Sequence, residues 1–172
     1  MAEARGKIAL VTGAGTGVGR AASLALMNAG YTVVLAGRRL EMLEETSKLG
    51  GNVGNSLCVS ADMTSPVSIA ALFAKVSENY GRLDVLFNNA GIGTGGPIAQ
   101  MSFEDLDRVV SINLGGVLNG AKIGHAYLAK TPGSCLLNTA SASAIYGTSG
   151  LVVYSATKFG VRALTEGLDG EW

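Results

Sequence analysis

Three side chains near the end of the sequence have the types and spacing that proton transfer requires. Tyr154 and Lys158 are four residues apart, so a helix would place them on one face, one turn from each other. Ser141 precedes Tyr154 by thirteen positions, on the far side of a glycine-containing turn. Free phenols titrate near pH ~10, but a neighbouring ammonium group favours the phenolate. The three residues therefore predict acid–base chemistry near neutral pH, with the Ser141 hydroxyl holding the reacting oxygen.

Composition excludes several other classes of protein. The chain has 172 residues, 48% hydrophobic and 15% charged, which indicates one globular domain over residues 1–172. Its net charge is zero and it has no basic stripe, so a nucleic-acid partner is not expected. The apolar run before Thr12 is too short for a signal peptide or a membrane span, so we expect a cytoplasmic protein.

Histidine and cysteine usage argues against metal and disulfide chemistry. His125 is the single histidine, which disfavours a histidine-containing catalytic triad or a zinc site of several histidines, and no metal is predicted. Cys58 and Cys135 lie in apolar, strand-like runs. We expect both to be reduced and buried.

A glycine loop lies between the first predicted strand and the first predicted helix. The strand covers 7–11, the helix 20–29, and four glycines fall in the seven positions from Gly13 to Gly19. Glycines let the backbone approach a pyrophosphate closely, and the helix N-terminus presents free N–H groups to the anion. This pattern predicts a nucleotide-phosphate site; the alternative is a tight turn with no ligand.

The second predicted strand covers residues 31–36, and two arginines follow it. In dinucleotide-binding folds an acid near this point binds the ribose 2′-hydroxyl, whereas arginine suits a 2′-phosphate. Arg38 and Arg39 stand here without an acid, which favours NADP over NAD. The alternative is that the arginines only open the next helix, at 40–49, and face water.

The remaining elements alternate in the same way. Further strands are expected at 56–61, 83–87 and 134–139, and further helices near 66–79, 102–130 and 151–172, the second of them broken or bent near Asn113. Strands that are nearly all apolar predict a parallel sheet covered on both faces, so we expect an α/β, doubly wound, Rossmann-like fold with about five strands. The candidate residues all fall at the carboxyl ends of strands or in the next helix, where such sheets bind ligands.

With these motifs together, the chain resembles the short-chain dehydrogenase/reductase family. The resemblance rests on TGAGTGVG at 12–19, Asp62, NNAG at 88–91, Asn113, Ser141 and YSATK at 154–158, in the family's order. It implies that Tyr154 is the general acid or base, that Lys158 assists it and binds the nicotinamide ribose, and that Ser141 binds the substrate oxygen. It also implies that Asn113 holds a water in a proton relay.

The resemblance assigns the cofactor residues as well. The implied set is Gly13, Thr16, Gly17, Val18, Gly19, Arg38, Asp62, Met63, Asn89, Ala90 and Gly91, together with Tyr154 and Lys158. Three alternatives stay open: Ser143 in place of Ser141, Asn113 as the cap of a helix break, and Asp62 as the cap of the following helix.

The family's usual length is greater than that of this chain. Two more strands and the segments that cover the substrate would be expected beyond Trp172, so the domain is expected to be incomplete at its C-terminus. The predicted activity is hydride transfer between NADP(H), or NAD(H), and a secondary alcohol or ketone; the alternative is an inactive fragment or a non-catalytic nucleotide-binding module. The resemblance also implies a homodimer or homotetramer. Candidate pocket-wall residues are mostly apolar: Ile92, Ala142, Ile145, Tyr146 and Leu151.

Overall fold

A computed structural model describes residues 4–51 and 56–172. Its centre is a parallel sheet of five strands in the order β3-β2-β1-β4-β5. The strands are β1 Ile8–Thr12, β2 Thr32–Gly37, β3 Ser56–Ser60, β4 Val85–Asn88 and β5 Cys135–Asn138. Each lies within about two residues of its predicted position, and the predicted doubly wound parallel sheet is confirmed.

Six α-helices and three short helical turns connect the strands in the described residues. The α-helices are α1 Gly17–Asn28, α2 Leu40–Leu49, α3 Pro66–Tyr80, α4 Phe103–Val110, α5 Gly116–Leu128 and α6 Val152–Glu171. Single 3₁₀ turns occupy Ile98–Gln100 and Ala142–Ala144, and a π turn occupies Ser111–Gly115.

Alternation along the strands produces two separate cores, because successive side chains point to opposite faces of the sheet. On one face Ile8 and Leu10 pack with Ile69 and Phe73 of α3. On the other face Ala9, Val11 and their neighbours pack with Met27 of α1 and Leu43 of α2. Helices on both faces bury the apolar strands completely at the centre of the sheet, and this fixes where the strand ends lie.

Hydroxyl caps set the starts of two helices. Ser65 accepts a hydrogen bond from the Ser68 N–H, and Pro66 opens α3. Ser102 caps α4 in the same way, accepting from the Asp105 N–H. Helix α1, in contrast, begins at Gly17 rather than at Arg20, so the last part of the glycine loop forms its first turn.

The expected break near Asn113 is a π turn. Helices α4 and α5 continue into each other through Ser111–Gly115, whose wider turn absorbs the irregularity without ending the helix. This π turn carries Asn113 at its centre.

The prediction that both cysteines are buried is wrong. Cys135 is exposed and Cys58 is half-buried, and both are free thiols. Strand β5 pairs only with β4 among the described strands, so alternate residues such as Cys135 and Leu137 lie open at the sheet edge. An apolar sequence run does not reveal whether a strand is central or at an edge.

Candidate active site

A cavity of about 360 Å³ opens at the carboxyl ends of β1, β2, β3 and β4. Ten of the predicted cofactor residues line it: Gly13, Thr16, Gly17, Val18, Arg38, Asp62, Met63, Asn89, Ala90 and Gly91. Seven further residues line the cavity that the sequence did not single out: Gly15, Gly37, Met42, Leu43, Ala61, Thr64 and Ile112. Arg39 and Ile92 also line it; the sequence associated Arg39 with a 2′-phosphate and Ile92 with the wall of the substrate pocket. Most of the missed residues are small or apolar side chains with no chemical signature of their own.

Gly19 does not line the cavity but determines its shape. A Cβ atom at position 19 would collide with the Gly13 carbonyl and come within 2.5 Å of Asn89 Nδ2. Gly13 itself has φ +67° and Gly17 has φ +55°, conformations that favour glycine. The loop therefore folds tightly against the end of β4, and only glycine permits this approach.

Thr12 joins the end of β1 to the end of β4. Its Oγ1 accepts hydrogen bonds from the N–H groups of Asn89 (2.9 Å) and Ala90 (3.0 Å). In return, Asn89 Nδ2 donates to the Thr12 carbonyl oxygen at 3.0 Å. Asn89 is thus a structural link beneath the glycine loop. Its partner Thr12 was missed because a threonine at a strand end has many possible roles.

Asp62 closes a turn at the end of β3 rather than capping α3. Its Oδ1 accepts from the N–H (2.9 Å) and the hydroxyl (2.8 Å) of Thr64, whereas the cap of α3 is Ser65. These two hydrogen bonds, the backbone one first, lower the pKa of Asp62; burial opposes them weakly and the charge of Arg38 adds to them. The carboxylate therefore stays ionised beside Arg38 at the cavity wall.

Tyr154 and Lys158 lie one turn apart on α6, as the spacing predicts. Lys158 Nζ is 5.7 Å from the centroid of the Tyr154 ring and donates a hydrogen bond of 2.7 Å to the Thr139 carbonyl oxygen. Lys158 is almost fully buried, and burial lowers its pKa from the ordinary value. The buried ammonium group thus donates its hydrogen bond to a neutral carbonyl oxygen.

Thr139 connects this lysine to the cofactor cavity. Its hydroxyl donates to Asn89 Oδ1 at 3.1 Å, and Asn89 is the residue bonded to Thr12 beneath the glycine loop. A continuous series of hydrogen bonds therefore runs from Lys158 through Thr139 and Asn89 to Thr12. The sequence did not single out Thr139, because Lys158 bonds to its backbone carbonyl oxygen, which every residue type has.

The two candidate serines differ in burial. Ser141 follows Thr139 by two residues and is half-buried, and its Oγ accepts a hydrogen bond of 3.1 Å from the Ser143 N–H. Ser143 is buried, with 8% of its surface exposed. Ser141 therefore keeps a hydroxyl proton free to donate at the more accessible position.

Asn113 is fully buried and its side chain is already hydrogen-bonded. Its Oδ1 accepts from the Ile92 N–H at 2.8 Å and its Nδ2 donates to the Ile92 carbonyl at 2.9 Å. This reciprocal pair ties the π turn to the segment that follows β4. A water held by Asn113 would have to use the second lone pair of its Oδ1, the second hydrogen of its Nδ2 or its backbone carbonyl.

A second, smaller group of residues surrounds an open pocket beside Tyr154: Gly93, Thr94, Gly95, Leu151 and Tyr154. The Gly96 N–H donates to the Gly150 carbonyl at 2.7 Å, which fixes the glycine-rich segment after β4 against the start of α6. Of the expected pocket-wall residues, Leu151 lies here and Ile92 lines the cavity at the glycine loop. Ile145 and Tyr146 are exposed.

The described residues contain neither a membrane-spanning helix nor a metal-binding cluster of side chains. Across residues 4–51 and 56–172, none of the helices combines the length and the apolar character that crossing a membrane demands. Over the same ranges, no cluster of three or more histidine, cysteine or acidic side chains is arranged to hold a metal ion.

The chain is similar to known proteins along almost all of its length. The family model for short chain dehydrogenases matches residues 7–172. The 3-oxoacyl-[acyl-carrier-protein] reductase FabG of Thermotoga maritima is 35% identical over 165 residues, which cover 94% of this chain and 66% of that protein. The chain thus spans slightly less than two thirds of the length of this curated relative.

Solved structures of similar proteins share the fold. A short chain dehydrogenase/reductase from Burkholderia phymatum, in complex with NAD, superposes with a TM-score of 0.94 at 32% identity, covering 100% of this chain and 62% of that one. A metagenomic short-chain oxidoreductase in complex with NADP gives a TM-score of 0.92 at 28% identity, with coverage of 98% and 77%.

Proposed function

The chain belongs to the short-chain dehydrogenase/reductase family, and on that basis we propose that it transfers a hydride between NADP(H) or NAD(H) and a secondary alcohol or ketone. The observation that carries this proposal is the series of hydrogen bonds joining Lys158, beside Tyr154, to the floor of the glycine loop. It supports the proposal because it joins the helix that carries Tyr154 to the glycine loop. The Thermotoga relative is a reductase of a 3-oxo group, which is a ketone.

The residues at the glycine-loop cavity suit a pyridine dinucleotide. The glycine loop, with its close approach at Gly19, would hold the pyrophosphate at the N-terminus of α1. Asp62 and the Met63 backbone would hold the adenine, and Asn89 to Gly91 would flank the adenosine ribose. When bound, the nicotinamide gives or accepts the hydride.

Tyr154, Ser141 and Lys158 would handle the proton. In ketone reduction, the carbonyl carbon would accept the hydride released from a C–H bond of the bound nicotinamide, while the Tyr154 O–H bond breaks and its proton passes to the carbonyl oxygen; oxidation would be the reverse. Ser141 would donate a hydrogen bond to the same oxygen, and the Lys158 ammonium would stabilise the Tyr154 phenolate. The proposed relay through Asn113 would return the proton from solvent.

We propose NADP as the preferred cofactor. Arg38 and Arg39 both line the cavity just after β2, where no acidic side chain precedes α2. Two guanidinium groups would attract a 2′-phosphate, whereas a carboxylate there would repel it. Measuring kcat/KM with both cofactors tests the preference, and a higher value with NAD would overturn it.

The substrate is proposed to be uncharged and mainly apolar. The residues beside Tyr154 are three small or polar ones and Leu151, without a charged side chain among them. Nothing in this set would pair with a substrate carboxylate or phosphate.

We also propose that the chain forms a homo-oligomer and that residues 1–172 make up a single nucleotide-binding domain. Helix α4 and helix α5 expose Phe103, Val110 and Leu118, and α6 exposes Val152 and Phe159. Apolar side chains exposed along these three helices support association of copies. Light scattering of the purified protein would distinguish a dimer or tetramer from a monomer.

The alternative is a nucleotide-binding module without turnover. It is favoured by the contrast between the cofactor cavity, which is walled by four strand ends, and the open pocket beside Tyr154. Titration with NADPH and NADH, followed by turnover assays on a panel of ketones, separates the two. Turnover supports the oxidoreductase; binding without turnover on any ketone supports the module.

A further inference from the structure

Three side chains that do not line the cofactor cavity form a hydrogen-bonded group beside the glycine loop, and two of them, Arg20 and Thr46, contact the loop itself. They are Arg20 on α1 and Glu45 and Thr46 on α2, here called the Arg20 cluster. Arg20 Nε donates to the Gly15 carbonyl oxygen at 3.0 Å and to Thr46 Oγ1 at 3.1 Å. The end of the guanidinium group contacts Glu45 through bonds of 2.8 Å and 3.4 Å.

Thr46 is the buried member of the cluster, with no exposed surface. Its Oγ1 lies 3.1 Å from the Ala14 carbonyl oxygen and 3.0 Å from the Met42 carbonyl oxygen, and donates its proton toward them. Two consecutive carbonyls of the glycine loop are therefore held by side chains: that of Ala14 by Thr46 on α2, and that of Gly15 by Arg20 on α1.

Holding these carbonyls orients the neighbouring N–H groups. In a planar trans peptide, the carbonyl of one residue and the N–H of the next point in opposite directions. The N–H groups of Gly15 and Thr16 must therefore point away from the Arg20 cluster, and both residues line the cavity. Backbone N–H groups turned toward a cavity are what a phosphate requires.

The same cluster fixes the distance between the loop and the N-terminal end of α2. Position 15 allows no side chain, because a Cβ atom there would lie 2.8 Å from Met42 Cβ. Helix α2 starts at Leu40, immediately after Arg38 and Arg39, which line the cavity. A shift of α2 relative to the loop would therefore move the arginine pair relative to any bound pyrophosphate.

We propose that Arg20 and Thr46 are positioning residues for dinucleotide binding: they orient the N–H groups of the glycine loop and hold α2, with its arginine pair, at the distance that a 2′-phosphate requires. The proposal rests on the proposed cofactor site. The first effect acts on NADPH and NADH alike, whereas the second acts only on NADPH. Loss of the cluster therefore weakens NADPH binding more than NADH binding.

The test measures Kd for NADPH and NADH by fluorescence titration of the wild-type chain and of Thr46→Val, which keeps the shape of the side chain and removes its hydroxyl. The expected Kd for NADPH rises at least about fivefold, the effect of losing one ordinary hydrogen bond, and the NADPH-to-NADH Kd ratio rises with it. Thr46→Ser, which restores the hydroxyl, is expected to return both constants to within about twofold of wild type.

Arg20→Met provides a second variant should Thr46→Val fail to fold. Its matched control is Arg108→Met, because among the described residues Arg108 pairs only with Asp105, on the exposed face of α4. Thermal denaturation of every variant records any general loss of stability. A fall in melting temperature with an unchanged Kd ratio would show that the cluster is merely structural and would overturn the proposal. A wild-type chain that binds neither nucleotide would instead refute the proposed function, and this proposal with it.

Discussion

Lys158 Nζ lies 5.7 Å from the centre of the Tyr154 ring, and it is held there by a hydrogen bond to the carbonyl of Thr139. Among the described residues, no carboxylate forms an ion pair with Lys158. Its positive charge beside the phenol is therefore not neutralised by an acidic side chain. A carbonyl oxygen fixes the ammonium in place but does not neutralise it. In the proposed mechanism, this ammonium group would stabilise the phenolate that Tyr154 forms when it gives up its proton.

The burial of Lys158 predicts how stability depends on pH. Its pKa in the folded protein is lowered by burial, below the value of about 10.4 in an unfolded chain. Between these two values the unfolded state binds more protons, so the free energy of unfolding is expected to rise as pH increases through this window. Urea denaturation at a series of alkaline pH values measures it.

Lys158→Met is expected to remove this dependence, because methionine fills the same space without a charge. Lys122→Met, at an exposed position of α5, is expected to keep the wild-type profile. A profile of Lys158→Met that parallels the wild type would show that another group titrates.

Asp84 predicts a loss of stability in acid. Burial alone would raise the pKa of this buried carboxylate, but hydrogen bonds from Arg82 and the Ile8 N–H, with the charges of Arg82 and Lys7, outweigh it and lower the pKa overall. The stabilisation is complete above the unfolded value of about 3.9 and is lost as pH falls through the folded value. Denaturation midpoints from neutral pH to below pH ~4 measure this loss.

Asp84→Asn is expected to cost about 2 kcal/mol at neutral pH, because charged hydrogen bonds to Arg82 and Ile8 are lost. The difference from wild type is expected to shrink in acid. Asp107→Asn, at an exposed position on α4, serves as the control. A difference that stays constant across the pH series would contradict the assignment to Asp84.

Gly19→Ala is expected to weaken cofactor binding roughly tenfold or more, since overpacking costs about 1–3 kcal/mol and the added methyl would meet the Gly13 carbonyl and Asn89. Gly167→Ala is the matched change at an exposed position of α6 with no atom nearby. It is expected to stabilise the protein by up to about 1 kcal/mol through helix propensity and to leave binding unaltered. Equal effects of both changes on NADPH titration would argue against a nucleotide at this loop.

Much of the fold follows from the sequence because its strands are short apolar runs separated by glycine loops and amphipathic helices. The ends of β1, β3 and β4 could be located from Gly13, Asp62 and Asn89, since parallel strands direct their carboxyl ends to one edge. The pairing of Tyr154 with Lys158 follows from helical spacing alone.

Other features depend on contacts between distant segments, which a sequence pattern does not encode. Thr139 acts partly through its backbone carbonyl, and Thr12 and Thr46 are ordinary threonines until the fold brings them to the glycine loop. The exposure of Cys135 depends on β5 lying at the sheet edge. The π turn at Asn113 reflects the bonds of its side chain to Ile92 rather than a local helix-breaking residue.

The most direct test of the account is Tyr154→Phe, assayed on a ketone that the wild-type chain reduces, with the Kd for NADPH measured alongside. Tyr31→Phe, before β2 at the opposite end of the strands, is the control. Turnover by Tyr154→Phe is expected to fall about a hundredfold or more, the usual contribution of a general acid, while its Kd and both properties of Tyr31→Phe stay near wild type. Near-normal turnover by Tyr154→Phe would contradict the assignment of the proton to this phenol.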